Sequence, residues 1–197
     1  MDDQLPLFAV DAPAPAPLPA LPAGFRYAPD VLTPDEEAAL LPALRALPLR
    51  EFEFHGHTGK RRTASFGWGY DFARERLVAA DAVPDFLLAV RARAAAFADL
   101  PAERLQQVLV TEYDVGAGIG WHRDKGVFGD VVGLSLLAPC RFRLRRRHAA
   151  GWERVTVDAA PRSAYLLRGP SRTVWEHGIP PVDALRYSIT FRDLRGG

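Results

Sequence analysis

Cysteine is nearly absent from this sequence, since Cys140 is the single one in 197 residues. One thiol excludes an internal disulfide framework and any cysteine-rich zinc or iron–sulfur site. A metal site in this chain must therefore use histidine and carboxylate ligands, and we expect Cys140 to be a small core residue. Lysine is also scarce, with only Lys60 and Lys125, so arginine carries most of the positive charge. Arginine suits bidentate recognition of carboxylates and phosphates.

Long apolar runs are missing as well. No stretch approaches the length of about 18 residues that a membrane-spanning helix needs, and the first residues are acidic where a secretory signal would be basic. We therefore expect a soluble, cytoplasmic protein with no membrane partner. The hydrophobic content of 48% is enough for one good core in a chain of this length. A single catalytic domain, present as a monomer, is the simplest expectation.

The N-terminal part differs in composition from the rest. Residues 1–23 hold three of the 24 acidic residues and no Lys or Arg, so the remainder is mildly basic. From Ala12 to Ala23 the chain is almost entirely Ala, Pro and Leu, which is typical of an extended, mobile linker. The sequence thus predicts a disordered tail over residues 1–23 and a folded domain over residues 24–197.

Two helices are predicted in the first half of the domain. Thr33 can cap a helix that begins with Pro34, and Glu36 completes a capping box. Leucines follow at helical spacing, and Pro42 should kink or shorten this helix. A second apolar stripe with helical spacing runs from about Pro84 to Ala98.

After Pro101 the pattern changes to short β-type runs separated by turns. Two helices followed by a strand-rich half predict an α+β fold, a double-stranded β-helix (jelly roll) with supporting N-terminal helices. The predicted strands are Gln107–Tyr113, Val131–Leu137, Arg141–Arg147, Arg154–Val157, Ala164–Leu167 and Tyr187–Phe191.

One His-x-Asp triplet follows the Gly-rich segment Gly116–Gly120. In a strand-like segment His122 and Asp124 point to the same side, and His177, next to a predicted strand, can supply a third ligand. Two His and one carboxylate leave three open positions on an octahedral ion, the arrangement of non-haem iron(II) oxygenases. A lone His-x-Asp is a weak signal, and its alternative is a surface histidine beside an aspartate.

The last predicted strand carries arginines at both ends of one face. Arg186 and Arg192 share that face with Ser188 and Thr190, and such charges are costly in a barrel interior unless an anion satisfies them. A dicarboxylate such as 2-oxoglutarate would satisfy them.

Taken together, these motifs resemble the AlkB family of iron(II)- and 2-oxoglutarate-dependent dioxygenases. The family has a Tyr-bearing strand, His-x-Asp, a distal His-Gly and Arg-x-Asn-x-Thr-x-Arg on the final strand. The matching segments, in the same order and with similar spacing, are Thr111–Tyr113, Trp121–Lys125, Ser171–Ile179 and Arg186–Arg192. The resemblance implies an oxidoreductase with Fe(II) and 2-oxoglutarate as cofactors and O2 as cosubstrate.

The resemblance also implies roles for individual residues. Arg186, Tyr113 and Ser188 would bind the distal carboxylate of 2-oxoglutarate, and Arg192 would lie near its keto-acid end. Ser188 replaces the family's Asn, but other 2-oxoglutarate oxygenases use Arg-x-Ser for the same carboxylate. Thr111 stands where many relatives have an Asn that positions the oxo acid. The implied iron ligands are His122, Asp124 and His177.

The resemblance further implies oxidative demethylation of alkylated bases in DNA or RNA, as in DNA repair after alkylation damage. A basic stretch over residues 55–62, interpreted as a flexible loop, could hold phosphates while Trp68 or Tyr70 stacks on a base. For Phe66 and Phe72 we favour core positions instead. The candidate substrate contacts are Tyr70, Trp68, Arg61 and Lys125.

Other observations leave alternatives open. Arg141, Arg143, Arg145 and Arg147 line one face of a predicted strand, which could follow a phosphate backbone or be an ordinary solvated face paired with acids. Gly126 stands where family members that repair DNA usually have an acid. A demethylase or hydroxylase of protein side chains, or a non-catalytic binding module on the same barrel, therefore remains an alternative.

The first residues contain a possible docking peptide. The segment from Gln4 to Phe8 resembles the Gln-Leu-x-Leu-Phe peptide with which bacterial polymerases and repair proteins bind the DNA sliding clamp. An apolar Leu-Phe pair on a mobile tether can enter a groove of a partner. The alternative is that the segment covers an apolar patch of its own barrel.

Overall fold

The computed structural model describes residues 20–54, 57–149 and 151–195. Residues 1–19 of the predicted tail therefore lie outside the described residues. The described chain forms mainly antiparallel β-structure with three helices, α1 (Pro34–Ala46), α2 (Leu88–Phe97) and α3 (Pro170–Thr173). Two 3-10 turns, Asp85–Leu87 and Ala102–Arg104, flank α2. The strands are β1 (Phe25–Ala28), β2 (Arg50–Phe54), β3 (His57–Phe66), β4 (Trp68–Asp71), β5 (Arg76–Ala79), β6 (Gln107–Tyr113), β7 (Ile119–His122), β8 (Phe128–Leu136), β9 (Cys140–His148), β10 (Gly151–Ala159), β11 (Ala164–Leu167), β12 (Glu176–Ile179) and β13 (Arg186–Leu194).

The strands form two large sheets and one hairpin. The major sheet has the order β1-β11-β8-β13-β6-β3-β2, the minor sheet has the order β10-β9-β12-β7, and β4 pairs with β5. All pairings are antiparallel. The predicted jelly roll is confirmed.

Two apolar clusters fill the layers on either side of the major sheet. Helices α1 and α2 cover its outer face, where Leu44 and Leu87 pack with Val132 and Leu134. The second cluster lies between the two sheets and includes Phe142 and Leu144 of β9 and Trp175, which precedes β12. Because side chains alternate along β8 and β13, each strand contributes to both layers. The inner layer is where polar residues of β13 meet the minor sheet.

Helix α1 begins as the sequence predicts. The Thr33 hydroxyl accepts a hydrogen bond from the Glu36 amide at 3.1 Å, and the Glu36 carboxylate accepts one from the Thr33 amide at 2.8 Å. This reciprocal pair satisfies two amides that have no partner within the helix. Pro42 lies inside the helix, which continues to Ala46, so the expected early end does not occur.

Most predicted strands are confirmed, and two of them, β6 and β11, have the predicted boundaries. The second predicted helix is present as a 3-10 turn followed by α2. The order of two helices followed by strands was wrong, because β2 to β5 lie between α1 and α2. Within the described residues, no helix has the length and apolarity needed to cross a membrane.

The predicted basic loop is also corrected. Residues 57–62 belong to β3, which pairs with both β2 and β6. His55 lies outside the described residues. Of the two phenylalanines expected in the core, Phe66 is buried, but Phe72 is 45% exposed because it lies in the turn after β4.

Candidate metal centre

Three side chains of metal-ligating type meet between the two sheets. His122 ends β7, His177 lies on β12, and the two residues are directly paired across the strands. Asp124 follows β7 by two residues, so it lies in the segment after the strand and not in a strand as the sequence suggested. One ligand atom from each residue lies within 4.8 Å of the others. The structure thus brings together the three residues predicted to hold a metal.

Both histidines of this cluster are neutral, and the tautomer of His122 follows from its hydrogen bond. His122 Nδ1 is 2.9 Å from the carbonyl oxygen of Gly120, and a carbonyl only accepts, so Nδ1 carries the proton and Nε2 has a free lone pair. Burial lowers the pKa of His122, and burial together with the charge of His122 lowers the pKa of His177 to about 3. Neutral imidazoles are the form that binds metals.

Asp124 is ionised and held in place by one arginine. Burial by itself raises the pKa of this carboxyl, but the positive charge of Arg192 outweighs burial and the pKa is lowered. Arg192 donates a 2.8 Å hydrogen bond to Oδ1, whereas Oδ2 is buried without a hydrogen-bond partner among the described residues. Oδ2 lies 3.7 Å from Nε2 of His177, which is too far for a hydrogen bond.

The donor set fits an iron(II) ion. A buried carboxylate oxygen without a donor is costly unless a cation satisfies it, and two neutral imidazoles with one carboxylate are the ligands of non-haem iron(II) oxygenases. These residues occupy one side of the cavity only.

Arg186 of β13 is a buried cation whose donors are only partly satisfied. Arg186 is fully buried, and its Nη2 donates a 2.7 Å hydrogen bond to the Ser135 hydroxyl. Within the described part of the chain, Nε and Nη1 of Arg186 have no partner. The guanidinium lies 4.9 Å from the centre of the Tyr113 ring. A buried guanidinium with two free donors fits the terminal carboxylate of a dicarboxylic acid.

The other predicted cosubstrate residues lie on the same inner face. Ser188 of β13 is paired with Thr111 of β6 on one side and with Ser135 of β8 on the other. All three are buried. The polar floor between Arg186 and Arg192 is therefore made of short hydroxyl side chains, which leaves room for a small ligand.

Sequence reasoning missed three residues around Arg186. Ser135 accepts its hydrogen bond, and Tyr165 and Cys140 interact electrostatically with the guanidinium. Burial raises the pKa of both Tyr165 and Cys140, so both remain neutral. The Tyr165 ring packs over Gly133, where a Cβ atom would collide with it. The expectation that Cys140 is a buried small residue is confirmed.

Aromatic and cationic side chains form a connected group that begins at Lys125, the residue after Asp124. The Lys125 ammonium lies 5.2 Å from the centre of the Tyr70 ring, which in turn lies 6.5 Å from the ring of Phe128. Phe128 is 5.2 Å from the Arg192 guanidinium. These contacts pack the β4–β5 hairpin against the residues that surround Asp124. Lys125 also forms a 3.8 Å ion pair with Glu75, which lies in the turn of that hairpin.

Two more predicted substrate contacts can be placed. Arg61 of β3 is paired with Tyr113 across the sheet, so the two residues lie on the same face. Burial lowers the pKa of Arg61 itself. Trp68 is half-buried on β4, two residues from Tyr70 and on the same face of the hairpin.

Arg172 fixes the segment that follows Asp124. This buried residue of α3 donates hydrogen bonds to the carbonyl oxygens of Lys125 and Phe128, at 2.6 and 2.9 Å. The turn carrying Lys125 is thus tied to the segment before His177, which explains why a buried arginine stands at this position.

With this geometry in place, sequence comparison identifies the family. The sequence model of the 2OG-Fe(II) oxygenase superfamily matches residues 24–192, so the chain belongs to that family. Members of this superfamily use Fe(II) and 2-oxoglutarate, and the cluster of His122, Asp124 and His177 in this chain fits that iron.

Individual relatives agree with this class. An alkylated DNA repair protein, ALKBH8 homolog, of Arabidopsis thaliana is 28% identical over 201 residues, covering 87% of this chain and 56% of that protein. The chain spans about half the length of the curated relatives it matches. The solved structure of OsALKBH1 has a TM-score of 0.66 and 16% identity, covering 88% of this chain and 100% of the other. A Pseudomonas putida prolyl-4-hydroxylase has a TM-score of 0.59 and 17% identity, covering 88% of this chain and 94% of the other. At these low identities, the two solved structures support the fold alone.

Proposed function

We propose that this dioxygenase oxidatively demethylates alkylated bases in DNA or RNA. The observation that carries the proposal is the cluster of Tyr70, Phe128 and Lys125: Lys125 follows Asp124 in the chain, and Phe128 packs on Arg192, which pairs with Asp124. A flat aromatic ring with a cation next to a candidate iron ligand suits a base that has been flipped out of its strand and a nearby phosphate. The relative named as an alkylated DNA repair protein supports the same substrate class.

In this proposal each part of the cavity has one task. His122, Asp124 and His177 hold the iron, and Arg192 keeps the carboxylate of Asp124 ionised and correctly turned. Such outer contacts tune a metal site nearly as strongly as the ligands themselves.

The cosubstrate lies on the other side of the cavity. Arg186 binds the distal carboxylate of 2-oxoglutarate with its free Nε and Nη1, helped by the hydroxyls of Tyr113 and Ser188. Tyr165, which is neutral beside Arg186, is a further donor for this carboxylate. Thr111 completes the floor of the pocket.

Bound iron, 2-oxoglutarate and O2 together supply an oxidant that hydroxylates a C–H bond, and 2-oxoglutarate leaves as succinate and CO2. On an N-methyl group the product is a hemiaminal. Its C–N bond then breaks, formaldehyde leaves, and the nitrogen keeps a proton. The chain's own contribution is to orient the methyl group and to keep water away through the aromatic wall around Phe128.

The experiment that tests the substrate is a comparison of succinate formation with matched ligands. Methylated single-stranded DNA, methylated RNA and methylated peptides are offered at equal concentration, each with its unmethylated counterpart. We expect methylated oligonucleotides to stimulate turnover and to release formaldehyde in equal amount. Stimulation by peptides alone would assign the enzyme to protein side chains, and no succinate from any of them would favour a binding module.

A partner is also proposed from the sequence alone. Gln4 to Phe8 lies outside the described residues, and its likeness to a clamp-binding peptide favours docking on a bacterial DNA sliding clamp. A peptide covering residues 1–12 should bind such a clamp, and the Phe8→Ala peptide should not, because the apolar anchor is lost. Equal binding of both peptides would refute this partner and leave the enzyme class unaffected.

A further inference from the structure

The outer face of the minor sheet carries an unusual number of arginines. Alternation places Arg141, Arg143, Arg145 and Arg147 of β9 on this face, and Arg154 of β10 beside them. The acids that share the face are Glu176 and Asp158, so five arginines face two carboxylates. This face thus has a marked positive charge although the chain as a whole is nearly neutral.

Two tryptophans are interleaved with these arginines. The Arg145 guanidinium lies between Trp121 and Trp152, 4.5 and 4.2 Å from the two ring centres. Arg143 continues the row over Trp121 at 4.9 Å, and Arg147 continues it over Trp152 at 5.4 Å. We name this row of three arginines and two tryptophans the Arg–Trp ladder. Both rings are half-buried by the guanidiniums.

Most of the positive charge on this face has no acidic partner. Arg145 forms a 2.7 Å ion pair with Glu176. Among the residues that the structure describes, Arg141, Arg143, Arg147 and Arg154 form no ion pair. An ordinary solvated strand would pair these arginines with acids of its neighbours. The strand opposite, β10, offers one acid, Asp158, to Arg141, but it offers Thr156 to Arg143 and Trp152 to Arg147.

We infer that the Arg–Trp ladder is a second binding surface, and that its ligand is a single strand of nucleic acid. Alternate residues of a strand recur about every 6.6 Å, a spacing suited to the successive phosphates of an extended single strand. The guanidiniums of Arg143 and Arg147, at the two ends of the row, each contact one indole, so their outer planar faces can stack on unpaired bases, and stacking of this kind tolerates any base sequence. A duplex would hide its bases from the ladder.

The ladder lies behind the catalytic cavity. Trp121 precedes His122 and Glu176 precedes His177, so the two surfaces are opposite sides of the same strands. A strand held on the ladder therefore does not place its base in the cavity. It keeps the substrate tethered to the enzyme, which raises the local concentration of neighbouring bases at the active site.

The proposal goes beyond the demethylase activity and is tested without it. Fluorescence anisotropy with the full chain measures the affinity for labelled, unmethylated oligo(dT) and oligo(U) of about 15 nucleotides, with a polyglutamate peptide as the acidic protein control. We expect both oligonucleotides to bind and the peptide not to bind. The double variant Arg143→Ala/Arg147→Ala should lose about tenfold in affinity, and its log–log salt dependence should become shallower by about 1.4.

Two control variants locate the binding. Arg45→Ala/Arg50→Ala removes the same charge from exposed positions of α1 and β2, far from the minor sheet, and should leave affinity within about twofold. Lys125→Ala tests the cavity mouth. Equal losses in the two double variants, binding that depends on Lys125 alone, or a preference for polyglutamate would each overturn the proposal. Intact ladder binding without turnover on methylated strands would instead contradict the proposed demethylase activity.

Discussion

Arg192 and Asp124 form a buried ion pair of 2.8 Å at the centre of the molecule. Nη1 of Arg192 donates a second hydrogen bond, also 2.8 Å long, to Gln107. The guanidinium is thus fixed from the major sheet while it orients a carboxylate that follows the minor sheet. This pair connects the two layers of the jelly roll at the candidate iron site.

Replacing Arg192 should therefore weaken metal binding although the ligands remain. In Arg192→Met the Asp124 carboxylate keeps its position in the chain but loses its donor, and we expect the affinity for Fe(II) to fall by about 10–100-fold. Arg192→Lys keeps the charge and should lose less. Titration with Co(II), which is stable in air, measures the effect; equal affinity in Arg192→Met and the unaltered chain would contradict this role.

Arg186→Lys should raise the KM for 2-oxoglutarate on the order of 100-fold, because lysine keeps the charge but not the two parallel donors. The cosubstrate dependence of succinate formation measures this change. Thermal unfolding controls for loss of the Ser135 hydrogen bond, and Ser135→Ala provides the matched variant for that bond alone. An unchanged KM in Arg186→Lys would indicate that Arg192, and not Arg186, binds the distal carboxylate of 2-oxoglutarate.

Tyr70→Ala tests the proposed base-binding wall. Stacking of one base on an aromatic ring contributes about 1–3 kcal/mol, so the KM for a methylated oligonucleotide should rise about tenfold or more. The KM for 2-oxoglutarate should stay the same, because Tyr70 contacts Lys125 and Phe128 and not the Arg186 pocket. Leu88→Ala, at an exposed position of α2, is the neutral control. A rise in both KM values would indicate a general loss of structure.

Thr33→Ala should destabilise the fold by about 1 kcal/mol, the usual contribution of an N-cap side chain. For a domain of this size the melting temperature should fall by about 2–4 °C. Differential scanning calorimetry checks the shift. An unchanged melting temperature would show that tertiary packing of Leu44 and its neighbours alone holds α1 in place.

The elements that the sequence predicted best are those with strong local signals. Short β-type runs bounded by turns placed β6 and β11 to the residue, and Thr33 with Glu36 marked the start of α1. The strand β3 was missed because its basic and glycine-containing stretch resembles a loop. Its strand structure depends on pairing with β2 and β6, which are distant in sequence.

In the candidate site, too, residues with a local sequence signal were predicted, and a residue placed only by strand pairing was missed. His122, Asp124 and His177 could be named from the sequence motifs, and the structure brings them within 4.8 Å of one another. Arg186, named from its strand and the resemblance, is buried on the same face of β13 as Arg192, which contacts Asp124. Ser135 carries no comparable signal, because a serine in an apolar strand looks like any other small residue. Only the cross-strand pairing of Ser188 with Ser135 places it beside Arg186.

The most direct test of the site is an anaerobic titration of the protein with Fe(II) and 2-oxoglutarate, followed by the visible charge-transfer absorption of the chelated cosubstrate. The unaltered chain should develop this band at one equivalent of iron, and His177→Ala and Asp124→Ala should not. His148→Ala, at an exposed histidine outside the cluster, should behave like the unaltered chain. A band that survives in His177→Ala but is lost in His148→Ala would contradict the assignment of the metal ligands.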